Sequence, residues 1–309
     1  MIGGFHMSIL TDQISGYLRA CELEKKLSPD TVKAYRIDLA QFAAFAHESV
    51  VDKALLSRYA AHLNQHFAPR SVKRKLASVR AFYAALEEQE LIEESPFRRF
   101  HLHIVYPKEL PRVIPTGTVE RLLQEAYRQY RDGGSRWALR DVLVLELLFD
   151  TGMRVSELCR LTPETFQLGE DGLRLLVHGK GRKERVLQVA TAEVVTLAEK
   201  YCGVFGDDIQ SIGFILINRR RRPLTTQGVR QIIARHIQAA AVHGRITPHM
   251  FRHTFATALL DGGADIRYIQ TLLGHSSIST TEIYTHVATG QQSAILAQRH
   301  PRNGMRFGI

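Results

Sequence analysis

Cysteine is scarce in this 309-residue chain, and Cys21, Cys159 and Cys202 stand far apart. They form neither a disulfide framework nor the paired spacing of a zinc motif, as expected of a protein in a reducing cytoplasm. Long apolar runs are also lacking. Val142 to Phe149 falls well short of the roughly 20 residues that span a bilayer, and Glu146 interrupts it, so no membrane partner is expected. Met1 to Leu10 has no basic region followed by an apolar stretch, so no secretory signal is expected. There is no internal repeat, no low-complexity tract beyond Arg219 to Arg222, and no compact carboxylate cluster of the kind a metal-dependent nuclease needs. What remains is ordinary globular composition, with 45% hydrophobic and 23% charged residues. The length suggests two domains. The formal net charge is +10, an excess that favours a polyanionic partner.

The first hundred residues read as helical. Ser28 can cap a helix with Pro29 at its first position, and Val32, Tyr35, Leu39 and Phe42 follow near helical spacing. A second helix runs from Pro69 toward Glu90, with Val72, Leu76, Val79, Phe82, Tyr83 and Leu86 on its apolar face. It also carries Arg70, Lys73, Arg74, Lys75 and Arg80. Those cations suit either a solvated face or a helix lying along DNA, where they would meet phosphates. Pro96, Pro107, Pro111 and Pro115 predict an extended stretch from Ser95 to Pro115. The expected organisation is a helical domain over residues 1–100, a linker over 101–115 and a second domain over 116–309, which carries most of the positive excess.

The second domain reads as mostly helical with one small sheet. Trp137 to Phe149 is an apolar helix broken by Thr151-Gly152, and another begins near Arg154. Leu173 to Val177 and Arg185 to Val189 alternate as strands around a glycine-rich turn. Helices follow over Thr225–Ala241, Thr247–Leu260 and Asp265–Leu273, and Ser279 with Glu282 can cap a further one containing Tyr284.

Several segments could carry chemistry. Thr247 is a good N-cap and Pro248 a good first residue, so His249 falls in the first turn with Arg252 on the same face. An imidazole and a guanidinium beside a helix N-terminus suit an anion such as phosphate. His249 and His253 have zincin spacing, but Met250 replaces the glutamate base and no third ligand follows, so no metal is expected. Arg154 opens a helix directly after a glycine turn, and Glu157 can face and orient it. Lys180 sits at a hairpin tip whose cations, Arg182 and Lys183 among them, also fit a simple exposed basic hairpin; the glycine spacing and Ser/Thr of a Walker loop are absent. Alone, His275 reads as a structural turn residue and Tyr284 as an ordinary helical tyrosine.

Taken in order, TGMRVSEL at 151–158, HGKGRKER at 178–185, RPLT at 222–225, TPHMFRHTFAT at 247–257 and LLGHSSISTTEIYTHV at 272–287 resemble the tyrosine recombinase (phage integrase) family, and most closely its Xer-type members. The resemblance implies a mainly α fold with a small antiparallel β-sheet, a helical N-terminal core-binding domain and a tyrosine-recombinase catalytic domain. Motif by motif, it implies that Arg154 and Arg252 hold the scissile phosphate, that Tyr284 is the nucleophile and that Glu157 supports the first arginine. Lys180 becomes the candidate acid for the leaving 5′ oxygen, His249 the candidate proton acceptor and His275 a phosphate ligand, with the division of acid and base roles open. Arg70, Lys73, Arg74, Arg80, Arg182 and Lys183 are the expected DNA contacts. Phe251 in place of the usual leucine and the basic run Arg219 to Arg222 are modest departures.

The resemblance further implies a 3′-phosphotyrosyl intermediate, a Holliday junction and no need of metal, ATP or other cofactor. The implied partners are double-stranded DNA and a homo-tetramer or a hetero-tetramer with a related recombinase, with the need for an accessory DNA-binding or regulatory protein left open. Chromosome or plasmid dimer resolution, integration of a phage or other mobile element and inversion of a DNA segment all use this machinery. A type IB topoisomerase shares the chemistry with one active subunit. A non-catalytic DNA-binding protein leaves the coincidence of the catalytic-type residues unexplained.

Overall fold

A computed structural model describes residues 3–47, 50–100, 112–169, 172–179, 184–189 and 191–274. The chain divides into two compact units, Met1–Lys108 and Glu109–Ile309. In the first, α1 (Gly3–Leu23), α2 (Pro29–Ala46), α3 (Lys53–His66) and α4 (Pro69–Glu88) pack on one another. Two of the starts follow directly from side-chain chemistry. The Ser28 hydroxyl accepts from Thr31 N ahead of Pro29, and Asp52 accepts from Leu55 N at 2.7 Å, each satisfying an amide the first turn leaves orphaned. Leu39, Phe42, Leu56, Tyr59, Val79 and Phe82 are fully buried, each side chain contributing about 1.5–3 kcal/mol by leaving water.

The extended stretch expected from Ser95 begins differently. Ser95–Phe100 forms turns, with Arg98 N on Ser95 O and Phe100 N on Phe97 O, and Phe97 and Phe100 are buried in the helical core. Proline removed the helix here, but the two phenyl rings still sought burial. At the far end of the expected linker Ile114 is buried in the second unit, its amide donating to Thr254 Oγ1 at 2.7 Å.

One cation of α4 is not solvated. Lys75 is buried and donates to Asp38 Oδ1 at 3.2 Å and to Gln41, both on α2, with its ammonium 4.6 Å from the Phe67 ring centroid. Asp38 is inaccessible to solvent and also accepts from Ser78 Oγ at 2.8 Å and from Arg74. Desolvating one carboxylate is sustained because every partner donates to it.

The second unit is built around α6 (Arg136–Thr151), which packs on α5 (Thr116–Gly133), α8 (Ala192–Ile212) and α10 (Pro248–Asp261). Leu139, Val142 to Leu145, Leu147 and Leu148 are all buried, as a helix covered on several sides requires. A three-stranded antiparallel sheet, β1 (Phe166–Gly169), β2 (Gly172–His178) and β3 (Glu184–Val189), lies beside it. Leu173 pairs with Val189 and Leu175 with Leu187, placing the buried residues on one face. Among the described residues the other α-helices of this unit are α7 (Val155–Leu158), α9 (Thr226–Ala239) and α11 (Ile266–Leu273). No helix among the described residues is long and apolar enough to cross a membrane.

Candidate active site

Gly152 ends α6 in the left-handed region at φ +58°, its amide bonded to Leu148 O. A Cβ there would stand 2.3 Å from Phe255 Cδ1, so both backbone and packing require glycine. The turn delivers Arg154 to the N-cap of α7. Arg154 N donates to Glu157 Oε2 and Arg154 Nη1 to Glu157 Oε1, each at 2.8 Å, so one carboxylate fixes both the backbone and the side chain. The Arg154 side chain stays about a third exposed, at 35%.

Arg252 lies in α10 and is only 4% exposed. Its Nη1 donates to Gly152 O at 3.0 Å and its Nη2 to Leu273 O at 2.6 Å. The next carbonyl, Gly274 O, accepts from Arg154 Nη2 at 3.4 Å. The two arginines therefore meet at adjacent carbonyls at the end of α11, where the helix dipole presents its negative pole.

Glu157 has a second guanidinium. Arg185 of β3 donates Nη2 to Oε2 at 2.7 Å and Nη1 to Oε1 at 3.1 Å. Burial acts to raise the Glu157 pKa; the hydrogen bonds from Arg185 and the Arg154 backbone, with the arginine charges, outweigh it and hold the carboxyl below its usual range. Glu157 is thus an anion set between two cations. Sequence reasoning left Arg185 without a role, although it closes the HGKGRKER segment.

His249 is exposed in the first turn of α10. Partial desolvation, then the charges of Arg252, Arg230 and Arg154, lower its pKa from the ordinary histidine value. The neutral ring, able to accept a proton, is favoured at pH 7. Four residues on, burial followed by His249 and Arg252 brings His253 down to about 4. Thr247 occupies the N-cap position, but its side chain makes no capping bond, unlike the expectation from its identity.

Lys180, Arg182, Lys183, His275 and Tyr284 lie outside the described residues. In the first unit Arg70, Lys73, Arg74 and Arg80 are exposed on α4. Arg74 is held by Asp38, and Arg80 donates to Phe100 O at 3.3 Å with its guanidinium 5.4 Å from the Phe97 ring centroid. Among the described residues no group of His, Cys, Asp or Glu side chains could hold a metal ion.

Residues 112–291 match the phage integrase family, and residues 14–90 match the N-terminal SAM-like domain of phage integrases. The chain belongs to the phage integrase family. It is 41% identical to a tyrosine recombinase of Agathobacter rectalis, over 97% of this chain and all of the relative. It is 34% identical to tyrosine recombinase XerC of Bacillus subtilis, over 93% of this chain and 95% of that one. It is also 34% identical to tyrosine recombinase XerD of Halalkalibacterium halodurans, over 96% and 100%. Among solved structures, XerH site-specific recombinase on palindromic difH substrate shares the fold, with a TM-score of 0.73 and 20% identity over 93% of this chain and 85% of that one. The chain is accordingly a site-specific recombinase of the tyrosine type, similar to Xer proteins, an enzyme that cleaves and rejoins DNA.

Proposed function

We propose that this chain cuts double-stranded DNA by attack of the Tyr284 hydroxyl on a phosphodiester held by Arg154 and Arg252, leaving a 3′-phosphotyrosyl bond and a free 5′ hydroxyl. The observation that carries this reading is the meeting of the two arginines at adjacent carbonyls of α11, just ahead of the His275–Tyr284 segment in sequence. Guanidiniums already anchored to carbonyls and to Glu157 donate to non-bridging oxygens with little reorganisation, and they neutralise charge without a metal. A phenol titrates near pH ~10, so full ionisation at pH 7 costs roughly 4 kcal/mol. Neighbouring cations and proton transfer to neutral His249 offset that cost. Lys180 gives its proton to the departing 5′ oxygen while His275 donates to the phosphate. The ester bond retained on Tyr284 allows rejoining without ATP.

On this reading four protomers, identical or mixed with a related recombinase, exchange strands sequentially through a Holliday junction in the cytoplasm. Arg70, Lys73, Arg74 and Arg80 on α4, with Arg182 and Lys183 at the hairpin, contact DNA. XerC and XerD relatives at 34% identity favour an Xer-type task, resolution of chromosome or plasmid dimers.

The test is to map covalent adducts on fragmented genomic DNA of the host, then rebuild the mapped sequence as a nicked suicide duplex. The wild-type chain forms an adduct in excess EDTA, whereas Tyr284→Phe binds the duplex and forms none. An adduct of undiminished yield in the variant, or a strict need for a divalent metal, refutes the mechanism.

A further inference from the structure

We propose that Arg185 is a positioning residue of the recombination site, a third guanidinium that sets Glu157 and the end of α11 so that Arg154 and Arg252 face the phosphate. The inference rests on the assignment of those two arginines to phosphate. Three consecutive carbonyls at the end of α11 each accept from a different arginine: Leu272 O from Arg185 Nε at 2.7 Å, Leu273 O from Arg252 Nη2 and Gly274 O from Arg154 Nη2. The four C-terminal carbonyls of a helix have no partners within it, and here arginines from three distant segments supply donors. Arg185 joins this end to Glu157 with all three nitrogens, Nε on Leu272 O and both terminal nitrogens on the carboxylate, while Arg154 makes a lighter link from Glu157 Oε1 to Gly274 O. One planar cation thereby spans β3, the Arg154 turn and α11.

Arg185 does not itself meet substrate. Its side chain is 10% exposed, and each of its three nitrogens is engaged by these acceptors. Gly274 makes room for it: in the left-handed region at φ +63°, a Cβ there would sit 3.1 Å from Arg185 Nη1. Lysine keeps the charge but cannot offer two parallel bonds to a carboxylate together with a third to a carbonyl. The alternative is an ordinary buried ion pair that serves cohesion only, and such pairs are weak evidence even of stability.

The two are separated on the nicked suicide duplex by measuring duplex affinity, the single-turnover cleavage rate at saturating DNA, and the folded fraction by circular dichroism. Arg185→Lys remains folded, binds within about threefold of wild type, and cleaves about 10–100-fold more slowly, as expected for loss of a charged hydrogen-bond bridge. Arg185→Ala, assayed where it is folded, regains cleavage in methylguanidinium but not in equal methylammonium. A wild-type rate in Arg185→Lys overturns the inference, as does a deficit wholly in affinity or in folded fraction, or a folded Arg185→Ala that methylguanidinium does not rescue. Absence of any Tyr284 adduct in the wild-type chain refutes instead the reading on which the inference rests.

Discussion

Replacing Gly152 by alanine tests the turn on which the arginine site is hung, because two separable costs arise there. The first is conformational. At φ +58° an L-residue meets its own carbonyl, a cost of roughly 1–2 kcal/mol. The second is packing. The new methyl would lie 2.3 Å from Phe255 Cδ1 and 2.8 Å from Cγ, and forcing such an overlap apart costs about 1–3 kcal/mol. Together they destabilise the larger unit by about 2–5 kcal/mol, or on the order of 4–20 °C in its calorimetric transition.

The packing part disappears when Phe255 is also truncated. Phe255→Ala alone is destabilising, but in the Gly152→Ala background it relieves the overlap, so the double variant is more stable than the sum of singles by about 1–3 kcal/mol. Thermal and urea unfolding of the four proteins closes the cycle. Additivity within about 0.5 kcal/mol would mean that the methyl and the ring do not meet, refuting the argument. Cleavage adds a second readout: Gly152 O anchors Arg252 Nη1, so backbone displacement slows cleavage by the molecules that remain folded.

Two further outcomes follow from buried charge. Asp38→Leu leaves the Lys75 ammonium buried without its carboxylate and destabilises the first unit by about 3–5 kcal/mol, whereas Asp38→Leu with Lys75→Met recovers most of it in urea titrations; a cost under about 1 kcal/mol for the single change would contradict the burial argument. His253 takes its proton near pH 6.5 when unfolded but only at about 4 when folded, so the unfolded chain binds more protons between those values. Its contribution to stability is therefore full above about pH 6.5 and falls by up to about 3 kcal/mol as pH drops toward 4. His253→Gln flattens this part of a melting-temperature profile, and an unchanged slope would exclude His253 as its source.

Local rules carried the sequence a long way where the interaction is itself local. Ser28-Pro29 starts α2, Gly152 ends α6, and alternation places β2 and β3 within a residue of where they lie. Less was legible where one competing factor dominates. β1 buries only Phe166 of its four residues, too little alternation to announce a strand. Gly203 and Gly206 sit inside α8, where their poor helix propensity is overridden by burial of Val194, Leu197, Tyr201, Phe205 and Ile209. Lys75 belongs to a run of cations that reads as solvated, and only the return of Asp38 from another helix makes its burial affordable.

The arginine cluster lies beyond local reasoning for a different cause. Glu157 could be assigned to Arg154 because both carry side-chain identity at helical spacing. The acceptors that gather the three guanidiniums are main-chain oxygens, 87, 120 and 100 residues away for Arg185 with Leu272, Arg154 with Gly274 and Arg252 with Gly152. A carbonyl is the same group at every position, so no letter of the sequence marks one as a partner. What the letters can mark is the exception that such a partnership imposes. Gly274 is one: its left-handed backbone at φ +63° favours glycine, and a Cβ there would sit 3.1 Å from Arg185 Nη1, a tight approach set by an arginine far upstream in the chain.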